Sequence, residues 1–174
     1  YSPINVYLAM AMLAETASGN SRQQILDLFG LSTIEQLRTQ VYYMWNAHYC
    51  EDGQTSLLLG NSLWLDEAFS FKKQTVQLLA DRYYASSFHG DLGTEKLDKQ
   101  LQAWLNENTG DLLKDQAQKV TLDPQTVFAL FSLFARYLWI IPLTREDFPE
   151  PDTPVTQLNA PRRKLTSTCC RLFS

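Results

Sequence analysis

Residues 126–134 read TVFALFSLF, and only Thr126 and Ser132 interrupt an otherwise apolar run. The residues are mostly β-branched, aromatic or leucine, with no glycine or proline, and Pro124 in the preceding TLDPQ marks a turn. A half-exposed strand would alternate polar and apolar side chains. An unbroken apolar run of this length, bounded by a turn signal, predicts a strand covered on both faces. The chain must therefore supply a neighbouring strand and a covering layer on each side.

The neighbour is found upstream. In TSLLLGNSLWLDE, Leu57, Leu59, Leu63 and Leu65 fall on alternate positions, and Asn61 stands between them on the same face. This is again the pattern of a central strand. SSFHGDL, with Phe88 and Gly90, reads as a brief edge strand.

The covering layers are helical. Ser2 is a good N-cap and Pro3 suits a first helical turn, where its missing N–H would be unsatisfied anyway. From Asn5 to Ala17 the helix is apolar on every face, through Val6, Leu8, Met10, Met12 and Leu13, so other structure has to enclose it. SGNS ends it, with Gly19 as the expected C-terminal cap, and Ser21 is the expected cap of a second helix stopped by Gly30. A third helix is predicted over STIEQLRTQVYYMWNAHYC, with Ser32 or Thr33 and Glu35 or Gln36 spaced for a capping box. EDGQ is a turn. SFKKQTVQLLADRYYA is helical through Phe71, Val76, Leu79 and Tyr83. A further amphipathic helix carries Leu97, Leu101, Trp104 and Leu105 on one face, pauses at NENTG and resumes with Leu112 and Leu113.

Beyond Arg136 the pattern fails. Pro142, Pro149, Pro151, Pro154 and Pro161 are five of the seven prolines, and neither a strand nor a helix period persists through PRRK or TCCRLFS. Residues 135–174 are expected to be an irregular or disordered tail. Residues 1–134 form one α+β unit, with helices packed on part of a large mixed β-sheet.

Bulk properties narrow the function. A chain of 174 residues with a net charge of −4 has no basic stripe, so nucleic acid is not an expected partner. PRRK reads as a solvated tail. No run approaches the ~18 apolar residues of a membrane span. Cys50, Cys169 and Cys170 read as free thiols, because adjacent cysteines rarely pair and the count is odd.

A search for chemistry ends without an active site. His48 lies two residues from Cys50, an offset that does not share a helix face, and no other ligand-type residues cluster near His89 beside Asp91. A Cys50–His48 or His89 centre stays open only as a cryptic possibility. The phosphate, nucleophile-elbow and zinc motifs are absent. The aromatic stretch VYYMWNAHY reads as core. No catalytic residue, metal or cofactor is expected.

Four segments in order carry a resemblance. SPINVYLAMAMLAETASGNSRQQILDLFGL, GNSLWLDEAFSFKKQTVQLLADRYYASSFHGDL, LQAWLNENTGDLLKD and TVFALFS are similar to successive stretches of the serpin family, over about residues 1–134. NSLW and RYYAS look closer to the bacterial branch than to the animal one. The resemblance implies a partial serpin fold, an N-terminal-half fragment whose first helix and strand precede residue 1, and a reactive loop absent from this chain. It implies a secreted, extracellular parent that inhibits serine or cysteine proteases as a suicide substrate. The cleaved loop would insert into the large sheet beside its third strand, a form of strand addition that needs no catalytic residue. A non-inhibitory serpin acting as a binding or chaperone module is the alternative. The fragment itself is expected to be inactive, and unpaired sheet edges would make it prone to aggregate.

Residue by residue, Ser2 and Pro3 match the start of the polar "shutter" under the sheet, with Asn5 where a second serine is usual. Asn61 matches the strand asparagine. Trp104, Thr109 and Gly110 match the helix lying across the sheet, and Gln102 replaces an asparagine. Thr126 to Ser132 match the third strand, with Ser132 where an asparagine is common. In LFARYLW, Trp139 comes one residue early, and the resemblance stops. A frameshift or gene-prediction error near residue 132 would explain the change. A serpin-like continuation in another frame of the encoding DNA is the expected sign of it.

Overall fold

The computed structural model describes residues 2–51, 56–57, 59–134 and 137–144, with backbone placement alone for 50–51, 56–57, 134 and 137–144. Helix α1 (Pro3–Thr16) is followed by α2 (Gly19–Leu28), α3 (Ile34–His48), a two-stranded antiparallel pair β1 (Cys50–Glu51) and β2 (Ser56–Leu57), then β3 (Leu59–Asp66). Next come α4 (Lys73–Tyr83), β4 (Ala85–Gly90), α5 (Glu95–Thr109), the single turn α6 (Lys114–Ala117), β5 (Thr126–Phe134) and β6 (Tyr137–Thr144).

The main sheet has the order β4-β3-β5-β6. β4 runs parallel to β3, while β3–β5 and β5–β6 are antiparallel, so the sheet is mixed. The fold is the partial α+β arrangement expected. All eight residues of β3 and Thr126–Leu133 of β5 are buried. That is the physical meaning of the unbroken apolar run: a layer lies on each face. On one face Leu59, Leu63, Leu65, Phe128 and Leu130 pack with Leu8 and Met12 of α1 and with Leu37, Val41 and Leu79 of α3 and α4. On the other, Trp64, Ala129, Phe131 and Leu133 pack with Leu97, Leu101, Trp104 and Leu105 of α5. Each fully buried large side chain stabilises by about 1.5–3 kcal/mol over its exposed state. Val127 and Phe128 are neighbours yet belong to the same face, because the β5–β6 register slips between Thr126 and Phe128 and leaves Val127 as the extra residue of a bulge.

α1 is the enclosed helix that its composition demanded. Its C-terminal end is not closed by Gly19. The helix stops at Thr16, and Arg22 reaches back, its Nε donating to the carbonyls of Ala14 and Ala17 at 3.0 Å and Nη2 to that of Glu15 at 3.4 Å. A basic side chain thus meets the orphan carbonyls, and Gly19 (φ +55°) opens α2 with Ser18, not Ser21, at the cap. The α3 capping box forms as spaced: Thr33 Oγ1 accepts from Gln36 N at 3.3 Å, and the Gln36 side chain accepts from Thr33 N at 3.1 Å.

One expectation is corrected. Residues 137–144 are not irregular: they form β6, paired with β5 from Thr126↔Thr144 to Phe134↔Tyr137. Pro142 had argued against a strand. It sits on the outermost strand of the sheet, where a missing N–H is tolerated. Residues 145–174, with PRRK, Cys169 and Cys170, lie outside the described residues, as does most of EDGQ.

Candidate functional site: the polar seam of the central sheet

The most unusual chemistry lies within the sheet itself. Asn61 of β3 and Ser132 of β5 are register partners in the apolar interior, 2% and 0% exposed. They share the face covered by α1, which also buries Ser2 and Asn5. Asn61 Nδ2 donates to the carbonyl of Tyr83 at 2.8 Å. That carbonyl is one of the last in α4, so the asparagine serves as a tertiary C-cap where Tyr84 turns left-handed (φ 53°). Asn61 Oδ1 and Ser132 Oγ have no hydrogen-bond partner among the described residues. A buried polar atom left so costs about 1–3 kcal/mol.

Tyr83 extends the seam. Its hydroxyl donates to Glu15 Oε1 at 2.9 Å, and Arg38 grips the same carboxylate through Nε at 2.7 Å and Nη2 at 2.9 Å. Thus α3, α1, α4 and β3 are joined by one polar relay. Burial, then the Glu15 charge and the hydrogen bond to it, hold the Tyr83 phenol well above its ordinary pKa. The hydrogen bond to Glu15 raises that of Arg38. Sequence reading missed this relay. Its one local signal was an acid, Glu15, inside a helix that otherwise has to be enclosed.

The opposite face carries Trp104, whose ring meets Phe131 edge-on at 6.5 Å. Thr109 Oγ1 donates to Leu105 O at 2.8 Å, and Gly110 (φ +56°) closes α5 in the left-handed conformation. The end of α5 comes down on Gly60, where an added Cβ would stand 3.1 Å from Asn108 Oδ1. Gln102 Nε2 donates to Val120 O at 3.2 Å, tying α5 to the loop before β5. Pro3 stands exposed at the first turn of α1, and the Ser2 side chain makes no capping hydrogen bond, although Ser2 occupies the cap position. Thr126 is buried at the start of β5.

α1, which follows Ser2 and carries Pro3 and Asn5, packs on one face of the sheet, and α5, which carries Trp104 and Thr109 and ends at Gly110, packs on the other. His48 ends α3, Cys50 begins β1, and His89 lies on β4 opposite Leu65. Among the described residues no three His, Cys, Asp or Glu side chains stand close enough to hold a metal. No described helix is long and apolar enough to cross a membrane.

The family model described as Serpin (serine protease inhibitor) matches residues 1–135. The chain belongs to the serpin family. It is 24% identical over 155 residues to Serpin-ZX of Arabidopsis thaliana, covering 86% of this chain and 39% of that protein. It is 28% identical over 167 residues to Alpha-1-antiproteinase 2 of Equus caballus, covering 90% and 38%. This serpin chain therefore spans about two-fifths of the length of these curated relatives. Among solved structures, AtSerpin1 of Arabidopsis in its native stressed conformation superposes with a TM-score of 0.67 at 23% identity, over 76% of this chain and 35% of that one. The thermophilic serpin Tengpin in the latent state gives 0.64 at 24% identity, over 75% and 35%. Those likenesses establish the partial serpin fold. The serpin description is that of a protease inhibitor rather than a catalyst.

Proposed function

We propose that this chain is the sheet-building N-terminal part of a serpin that inhibits serine or cysteine proteases by strand addition, with the target set by a loop outside these residues. The observation that carries the proposal is β5. It is an apolar strand covered on both faces, its only interior polar side chain after Thr126 is Ser132, and it lies in the stretch matched to the family. Strand addition needs a sheet whose edge can pair and whose interior tolerates rearrangement. An Asn61–Ser132 seam whose Oδ1 and Oγ have no partner among the described residues would weaken the contact between two central strands without removing their ladder. In this reading Ser2, Pro3 and Asn5 support the seam from α1. Trp104, Thr109 and Gly110 belong to the helix that has to yield when the sheet widens.

The partner is a protease, and extracellular action follows the family resemblance. The NSLW and RYYAS stretches favour the bacterial branch, which a tree built on complete sequences decides. The chain spans about two-fifths of the length of its curated relatives and is expected not to inhibit by itself. The test is to recover the complete protein and incubate it with trypsin-like, elastase-like and papain-like proteases. An SDS-resistant complex with one of them is the expected result. No complex with any would favour the alternative, a binding or chaperone module.

A further inference from the structure

We propose that β6 is a built-in lid on the sheet: the chain's own Tyr137–Thr144 segment occupies the free edge of β5 and keeps that edge from pairing with a strand from elsewhere. The inference rests on the reading of β5 as the strand-accepting edge and concerns how that edge is controlled.

β5 has two edges. β3 takes one, through partners from Leu59↔Phe134 to Leu65↔Phe128. The other would present a row of unpaired N–H and C=O groups, the usual template for strand addition. β6 takes that row over the length of β5. The match to the family ends at residue 135, so the lid comes from sequence outside the matched stretch. Two residues separate Phe134 from Tyr137. So short a tether holds β6 at an effective concentration in about the millimolar range or above, which a free peptide must exceed. α1 lies against β6 as well as β5, so the lid shares the cover of the native sheet.

The lid is uneven. Near its tether the register is regular, from Phe134↔Tyr137 to Phe128↔Leu143. At the far end the Val127 bulge breaks the ladder. β6 therefore peels from the Thr144 end, and a competing strand enters beside Thr126.

The test uses the full chain and its Ile140→Pro/Ile141→Pro variant. Successive residues of a strand direct their N–H groups to opposite sides, so one of the two prolines removes a donor aimed at β5 whichever the phase. The probe is a fluorescein-labelled peptide of the sequence YLWIIPLT with a two-lysine tail, followed by anisotropy. The expected result is binding to the variant and none to the unaltered chain. Equal binding to both, or to neither, overturns the lid. If the variant lacks the helical circular dichroism of the parent, the deciding measurement is hydrogen exchange on the unaltered chain. Alternate amides of 138–144, those directed at β5, should be slowed by more than about tenfold relative to an unstructured peptide. Exchange at unstructured rates overturns the proposal. A complete protein that forms no protease complex would sink the functional reading and leave this result standing. Freely exchanging β6 amides would do the reverse.

Discussion

Glu15 of α1 and Arg38 of α3, twenty-three positions apart, meet as a two-pronged ion pair with contacts of 2.7 and 2.9 Å. The carboxylate side chain is 1% exposed and the guanidinium side chain 27%. A buried charge held this way is costly to orphan. Arg38→Met is expected to destabilise by about 3 kcal/mol, because Glu15 loses its charged partner. Adding Glu15→Leu should recover much of that loss. Urea unfolding of the two single variants and the double provides the check, and purely additive effects would contradict the coupling.

Tyr83 gives the pH dependence. Its folded pKa is raised above the ordinary value of 10.0, first by burial and then by Glu15. The phenol thus stays protonated in the folded chain where the unfolded chain releases its proton. Its stabilising effect is complete below pH 10 and declines as pH rises above it. Tyr83→Phe should cost about 1 kcal/mol at pH 7, through the lost hydrogen bond. The gap between the two proteins should narrow above pH 10, read from urea midpoints at successive pH values.

Two glycines with positive φ should respond differently. At Gly110 (φ +56°) an added Cβ meets nothing within 4 Å, so Gly110→Ala should cost only the backbone penalty, about 1 kcal/mol. At Gly93 (φ +88°) the same atom would stand 2.4 Å from Pro124 Cγ and 2.8 Å from its Cα. Gly93→Ala should cost at least about 3 kcal/mol, because proline cannot rotate away. Thermal midpoints of the two variants that coincide would refute this account of the α5–β5 corner.

Ser132→Ala should be neutral or should stabilise by about 1 kcal/mol, since it deletes a buried hydroxyl that has no partner among the described residues. Asn61→Ala, by contrast, frees the Tyr83 carbonyl and should destabilise by about 1–3 kcal/mol. Denaturant midpoints distinguish them. A loss at Ser132 as large as that at Asn61 would mean that the hydroxyl is bonded after all.

The strands β3 and β5 were legible because an apolar run between turn signals is a local pattern, and burial of both faces gave it one meaning. The α3 cap was legible because Thr33 and Gln36 settle it between themselves. The end of α1 was not. Gly19 looked sufficient, but Arg22 folds back onto the carbonyls first. β6 was hidden because the five prolines beyond Arg136 outweigh the apolar run Leu138, Trp139, Ile140 and Ile141, and at Pro142 the objection vanishes on an outermost strand.

The candidate site divides in the same way. Asn61 and Ser132 stood out as polar residues in apolar strands, and Trp104, Thr109 and Gly110 through family resemblance. That Asn61 faces Ser132 could not be read from either strand alone, since register depends on how two faces meet. Glu15, Arg38 and Tyr83 lie on three helices, and nothing near any of them in the chain names the other two.

What the amino-acid order determined by itself is therefore the set of elements, most of their ends and the faces they must bury, because periodicity and capping act within a few residues. What only the tertiary structure decided is the sheet order β4-β3-β5-β6, the partner of each buried polar atom and the strand that closes β5. Those depend on desolvation. Once water is excluded, a charge or a backbone amide has to find its partner wherever the packing places one.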